Sequence, residues 1–191
     1  MRRLFGLGRK PKTFEFKCPD CGDIHRGSPS FAYAEPTYCL DVPKAERVDR
    51  VDLSDDLCEI SPAAHTADED TIHCIRVTLD VPIHGAVDPF CWGVWVTQSK
   101  ESFDRYVETF SRDQSKEISF GWLAVTMKGY DLCSPGEPLE HLKCDVNWGP
   151  QGKRPSVILH ESSHRLFIDQ RDGITWDRAI EIARAIMHDQ A

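Results

Sequence analysis

The chain has no apolar run approaching the roughly 18 residues that a membrane-spanning helix requires, so membrane insertion is not expected. It has no internal repeat, no Gly-rich phosphate loop, no nucleophile elbow and no dinucleotide fingerprint. Their absence removes the commonest nucleotide-binding and acyl-transfer sites. Basic residues are scarce: 23 stand against 31 acids, for a net charge of −8. Arg2, Arg3, Arg9, Lys10 and Lys12 fall in an N-terminal arm without a single acid, so the remaining body is more acidic than the net value suggests. Such a body repels phosphate backbones, and no basic face is clustered elsewhere, so nucleic-acid binding is excluded as a function class. Leu4-Phe5-Gly6-Leu7-Gly8 is too short for the apolar core of an export signal, and Arg9-Lys10-Pro11-Lys12 interrupts it. The expectation is a cytoplasmic protein in a reducing compartment.

With 40% hydrophobic and 28% charged residues in 191, the chain has an ordinary globular composition and enough length for a core that needs no staples. Residues 1–12 read as a disordered basic tail. Phe14-Glu15-Phe16-Lys17 alternates as a short strand, and residues 13–43, rich in Pro, Gly and Ser, read as a small lobe with little core of its own. Residues 44–191 read as the main domain, beginning with a charged helix or connection over 44–56. Thr71–Val81 and Phe90–Thr97 carry the β-branched, alternating pattern of paired strands. Ile118–Met127, Leu139–Trp148 and Val157–Leu159 add three more. Phe103, Tyr106, Val107 and Phe110 recur at helical spacing, and a second helix is predicted after Gly173 with Thr175 as its cap and Ile180, Ile182, Ala183, Ile186 and Met187 as its apolar face. The pattern predicts an α+β fold: a mostly antiparallel sheet, two main helices and a small zinc-knuckle lobe at the N-terminus.

Eight cysteines in a chain of this size without an export signal point to metal ligands or small core residues rather than a disulfide framework. Cys74 and Cys91 sit in strand-like apolar runs and read as core thiols. Cys18-Pro19-Asp20-Cys21-Gly22 is the sharpest local signal. Two thiolates two residues apart can share one zinc ion, Gly22 suits the turn between them, and His25 lies within reach. A thioredoxin-like redox pair would need a helix inside a βαβ unit, which does not follow here. The fourth ligand is left between Cys58 and Cys39. Zinc would have a structural role and supply the folding energy that the lobe lacks.

His160-Glu161-Ser162-Ser163-His164 matches the metalloprotease string. On a helix, its histidines would share a face and bind zinc while Glu161 activated the bound water, with Glu181 or His188 as a third ligand. Against this, Pro155 and a β-branched run make the preceding stretch a strand, and Ser162-Ser163 are poor helix-interior residues. A zinc hydrolase on this string is therefore the alternative reading. Asp52, Asp55 and Asp56 cluster without a calcium-loop glycine and read as a solvated turn. Trp92, Trp95 and Trp122 are candidates for a binding surface. Cys58 or Cys91 could be a nucleophile only if His73 or His84 were positioned as its base.

Several segments, in order, resemble a bacterial family known as domain of unknown function 2199: Phe16–His25 with its Cys-Pro-Asp-Cys-Gly, Leu53–Cys58, Trp92–Val96, Phe120–Leu123, and His164–Leu166 running into Asp169–Thr175. The family's activity is not established. The resemblance implies Cys18, Cys21, His25 and Cys58 as the ligand set, because Cys39 falls outside the family-like motifs. It also implies that the HExxH string is accidental, since the chain departs from the family pattern at His160 and Arg165. The expectation is a zinc-stabilised, non-catalytic module that binds another protein or a small ligand on its tryptophan-bearing sheet.

Overall fold

The computed structural model describes residues 10–66, 70–130 and 142–188. Its centre is a long antiparallel pair, β6 (Ile72–Val81) and β7 (Phe90–Gln98), paired from His73↔Gln98 to Val81↔Phe90. Both strands run where alternating β-branched residues predict them. β7 is buried on both faces, and Trp92 and Trp95 are wholly enclosed: Trp92 stacks on Phe90 and meets Tyr130 edge-on, while the Trp95 indole donates to the Tyr33 carbonyl. These two tryptophans belong to the core and offer no binding surface.

Around this pair the sheet runs β3-β7-β6-β10-β9-β8. β3 (Ser30–Ala32) lies parallel to β7, β10 (Ser156–Leu159) enters parallel to β6, and β10, β9 (Lys143–Asn147) and β8 (Ile118–Trp122) are antiparallel neighbours. β5 (Leu57–Ile60) pairs with the start of β6, and β4 (Val51–Leu53) with β5. The sheet is mostly antiparallel, as expected, with two parallel joins that no local pattern announces. It also curls. Past Trp122 the chain returns to β7, where Leu123 bridges Val96 and the Ala124 amide donates to the Trp95 carbonyl. Gly121 makes the return possible, because a Cβ there would lie 2.4 Å from the Thr97 carbonyl oxygen.

Among the described residues four α-helices accompany the sheet. α1 (Arg47–Arg50) is a single turn within the charged segment. α2 (Lys100–Thr109) starts at Ser99, whose side chain accepts from the Ser102 amide, and buries Phe103 and Tyr106. α3 (Arg165–Asp172) was not expected. It is capped by His164, which accepts from the Leu166 amide, and ended by Gly173 at φ 80°. α4 (Trp176–Met187) starts at Thr175 as predicted.

The N-terminal segment forms a separate two-stranded sheet, β1 (Glu15–Lys17) with β2 (Ile24–Arg26), yet Phe14, Phe16 and Cys18 join the same buried cluster as the main strands. β3 also lies within residues 13–43 and belongs to the main sheet. Lys12, at the end of the basic arm, exchanges backbone hydrogen bonds with Gly85 and Val87. Arm residues 1–9 and Cys133 lie outside the described residues.

Candidate metal centre

The β1–β2 hairpin turns through Cys18-Pro19-Asp20-Cys21-Gly22. The Gly22 amide donates to the Cys18 carbonyl, the Cys18 amide to the Asp23 carbonyl, and Gly22 takes φ 80°, a conformation that glycine adopts without strain. This knuckle points both thiols to one side. His25 stands on β2 opposite Phe16, its ring 5.1 Å from the phenyl, and its Nε2 lies 3.3 Å from Cys21 Sγ.

The fourth group comes from the other end of the described chain. His188, at the C-cap of α4, brings its Nε2 to 3.1 Å from Cys18 Sγ. Ligand atoms of Cys18, Cys21, His25 and His188 all lie within 4.8 Å of one another. A tetrahedral zinc ion with ordinary Zn–S and Zn–N bonds sets its ligand atoms about 3.3–3.8 Å apart. The two sulfur–nitrogen separations, 3.1 and 3.3 Å, are a few tenths of an ångström shorter than such a bond pair sets, a difference that small side-chain shifts make up, so the residues present fit such an ion.

Helical periodicity explains why α4 reaches the knuckle. Trp176, Arg184 and His188 are spaced by multiples of four and share one face. The Trp176 ring packs 4.7 Å from Phe14 and its Nε1 donates to the Glu15 carbonyl. Arg184 grips the Asp20 carboxylate with two hydrogen bonds of 2.7 and 2.8 Å, which hold that carboxyl below its usual range. Cys18 is fully buried, Cys21 is exposed, and the two histidines lie between. At Cys21 a backbone hydrogen bond from Asp23 lowers the thiol pKa, but partial desolvation and the neighbouring Cys18 thiol together raise it on balance.

Cys58, expected as the fourth ligand, is not in this group, and neither is Cys39. Cys58 lies on β5 directly opposite Cys74 on β6, with its Sγ 3.6 Å from that of Cys39. All three are buried, and burial pushes each thiol up, so they keep their protons and pack as small apolar groups. His188 carried no local signal for this site. Its position in the last turn of an amphipathic helix becomes informative only once the helix is docked.

The family described as an uncharacterized protein conserved in bacteria (DUF2199) matches residues 17–174. The chain belongs to that family. No curated protein and no solved structure matches it. The DUF2199 match contains Cys18, Cys21 and His25 and ends before α4, so His188 lies beyond it.

The HExxH string of this DUF2199 chain does not lie on one helix. His160 follows the end of β10, where its Nε2 lies 2.8 Å from Asp145 Oδ1 and its ring 5.7 Å from Phe120. His164 is buried and spends Nδ1 on capping α3, which begins only at Arg165. The two histidines are therefore not one helical turn apart on a common face, and among the described residues they join no ligand group. The two histidines weighed as bases for Cys58 or Cys91 have other partners. His73 pairs with Glu59 at 3.2 Å and His84 with the Asp172 carbonyl at 2.8 Å. Burial, with Asp80 beside it, pushes Cys91 up to about 11. Asp56 of the acidic cluster is engaged by Arg154. No described helix is long and apolar enough to cross a membrane.

Proposed function

We propose that Cys18, Cys21, His25 and His188 hold one zinc ion in a closed structural site, and that this DUF2199 protein is a non-catalytic binding module whose chain ends the ion ties together. The convergence of two thiols and two imidazoles within 4.8 Å supports this reading. Soft sulfur donors favour zinc over magnesium or calcium, and four protein ligands leave no open position for a reacting water. The site also needs thiols kept reduced, in keeping with a cytoplasmic setting.

The partner reading rests on the outer face of β8–β10. Ile118, Phe120 and Trp122 alternate outward on β8, and Ile158 on β10 shares a row with Phe120 through Asp145. An exposed apolar row of this kind suits another protein.

The deciding experiment is zinc per chain by elemental analysis for four untagged proteins: wild type, Cys18→Ser/Cys21→Ser, His188→Ala and Cys58→Ser. One zinc in the wild type and in Cys58→Ser, with none in the double variant and a chelator-labile ion in His188→Ala, is the expected result. A full zinc in the double variant would refute the reading. For the surface, Phe120→Thr/Trp122→Thr should abolish partner capture while leaving zinc content unchanged.

A further inference from the structure

Two features of the sequence that the metal centre does not use meet in the fold. The apolar stripe of α2 is wider than the sheet can cover: Phe103 and Tyr106 are buried, while Val107 and Phe110 are each 43% exposed. Facing them is the turn between β4 and β5, which carries part of the acidic cluster. Its shape is fixed by hydrogen bonds from the Ser54 amide to the Leu57 carbonyl and from the Leu57 amide to Ser54 Oγ. Together they enclose a cleft of about 320 Å³, with Leu57, Tyr106, Val107 and Phe110 as apolar lining and Ser54, Asp55 and Asp56 on the polar side.

The charges in the cleft are unequal. Asp56 is neutralised by Arg154 at 2.5 Å. The Asp55 carbonyl accepts from Arg76, which anchors the turn, but the Asp55 carboxylate makes no ion pair among the described residues. Tyr106 stays a neutral phenol, because burial and then Asp56 push it up to about 12. The cleft thus offers an apolar, partly aromatic body and one carboxylate that no described side chain pairs, with the Arg76 guanidinium held on the backbone carbonyl of the same residue, at a volume near the lower limit for small-molecule sites.

We propose that this cleft binds a small amphipathic cation: an ammonium group on an aromatic or short alkyl body. The body enters between Leu57, Val107 and Phe110, and the ammonium meets Asp55. The charge disfavours anions, and the volume holds about one ring and its short chain. This site is independent of the zinc reading.

The test is a titration of the full wild-type chain, followed by backbone amide shifts, with phenethylamine and with 3-phenylpropionate, a phenylalkyl acid of opposite charge. The amine should give saturable shifts confined to residues 54–57 and 106–110 with a Kd in the millimolar range. It should bind about fivefold more tightly than the acid, the preference that one exposed charge pair supports. Asp55→Asn should bring the two probes within about twofold of each other. Phe110→Ser should weaken both. Both positions are exposed, so these variants should fold. No saturable shift with the amine, equal binding of both probes by the wild type, or an unchanged preference in Asp55→Asn would each overturn the proposal.

Discussion

Substituting His188 and Cys58 separates proximity in sequence from proximity in space. His188→Ala removes one of the four converging groups. It should weaken zinc binding by more than the ~10–100-fold that follows loss of an outer-shell partner, as read by competition with a chelator. Cys58→Ala should leave the zinc stoichiometry unchanged and lower unfolding stability by about 1–2 kcal/mol, because it only empties space beside Cys39 and Cys74. His164→Ala offers a third contrast. It deletes the α3 cap and should cost about 1 kcal/mol in urea unfolding with no change in zinc content. In all three cases the chemistry of the side chain is ordinary, and its neighbours decide what it does.

Among the elements, the hairpin β1–β2 and helix α4 should behave as one unit. Trp176 on Glu15, Arg184 on Asp20 and His188 on Cys18 join them along the length of the helix. Removing zinc should therefore speed amide exchange in residues 14–26 and in the last turns of α4 together, while β6 and β7 keep their protection. Faster exchange in the hairpin alone would mean that His188 is not held by the ion. The curl of the sheet depends on a different element. Gly121→Ala places a methyl group against the Thr97 carbonyl and should cost more than about 2 kcal/mol, since backbone must move to admit it.

For the whole molecule, the acids that burial perturbs are weak ones. Burial pushes Cys91 up to about 11, Cys144 up to about 12 and Tyr106 up to about 12, and it raises Cys58, Cys74 and Tyr130 as well. In the unfolded chain these thiols and phenols ionise near 9 and 10, whereas in the folded chain they keep their protons. The unfolded state then binds fewer protons, so stability is fully present below about pH 9 and falls as pH rises beyond it. Urea midpoints measured in reductant between pH 7 and 11 should be level at first and decline above about pH 9. A level curve to pH 11 would show that these groups are not shielded from water.

Neighbouring residues settle part of this fold without help from distant ones. Three of the four converging groups lie within eight positions of one another on a strand–turn–strand unit, so the grouping of Cys18, Cys21 and His25 is legible from spacing alone. The β6–β7 pair was legible from alternation, and the start of α4 from Thr175. The rest depends on how distant elements pack. His188 joins Cys18 across 170 residues because α4 lays one face along the hairpin, a docking that no local pattern encodes. β3 and β10 enter parallel to their neighbours, and the return of the chain at Gly121 curls the sheet. The same tertiary packing buries Trp92 and Trp95 and leaves Val107 and Phe110 open. Periodicity states which residues share a face, whereas the packing of distant elements decides which faces are covered and which side chains meet.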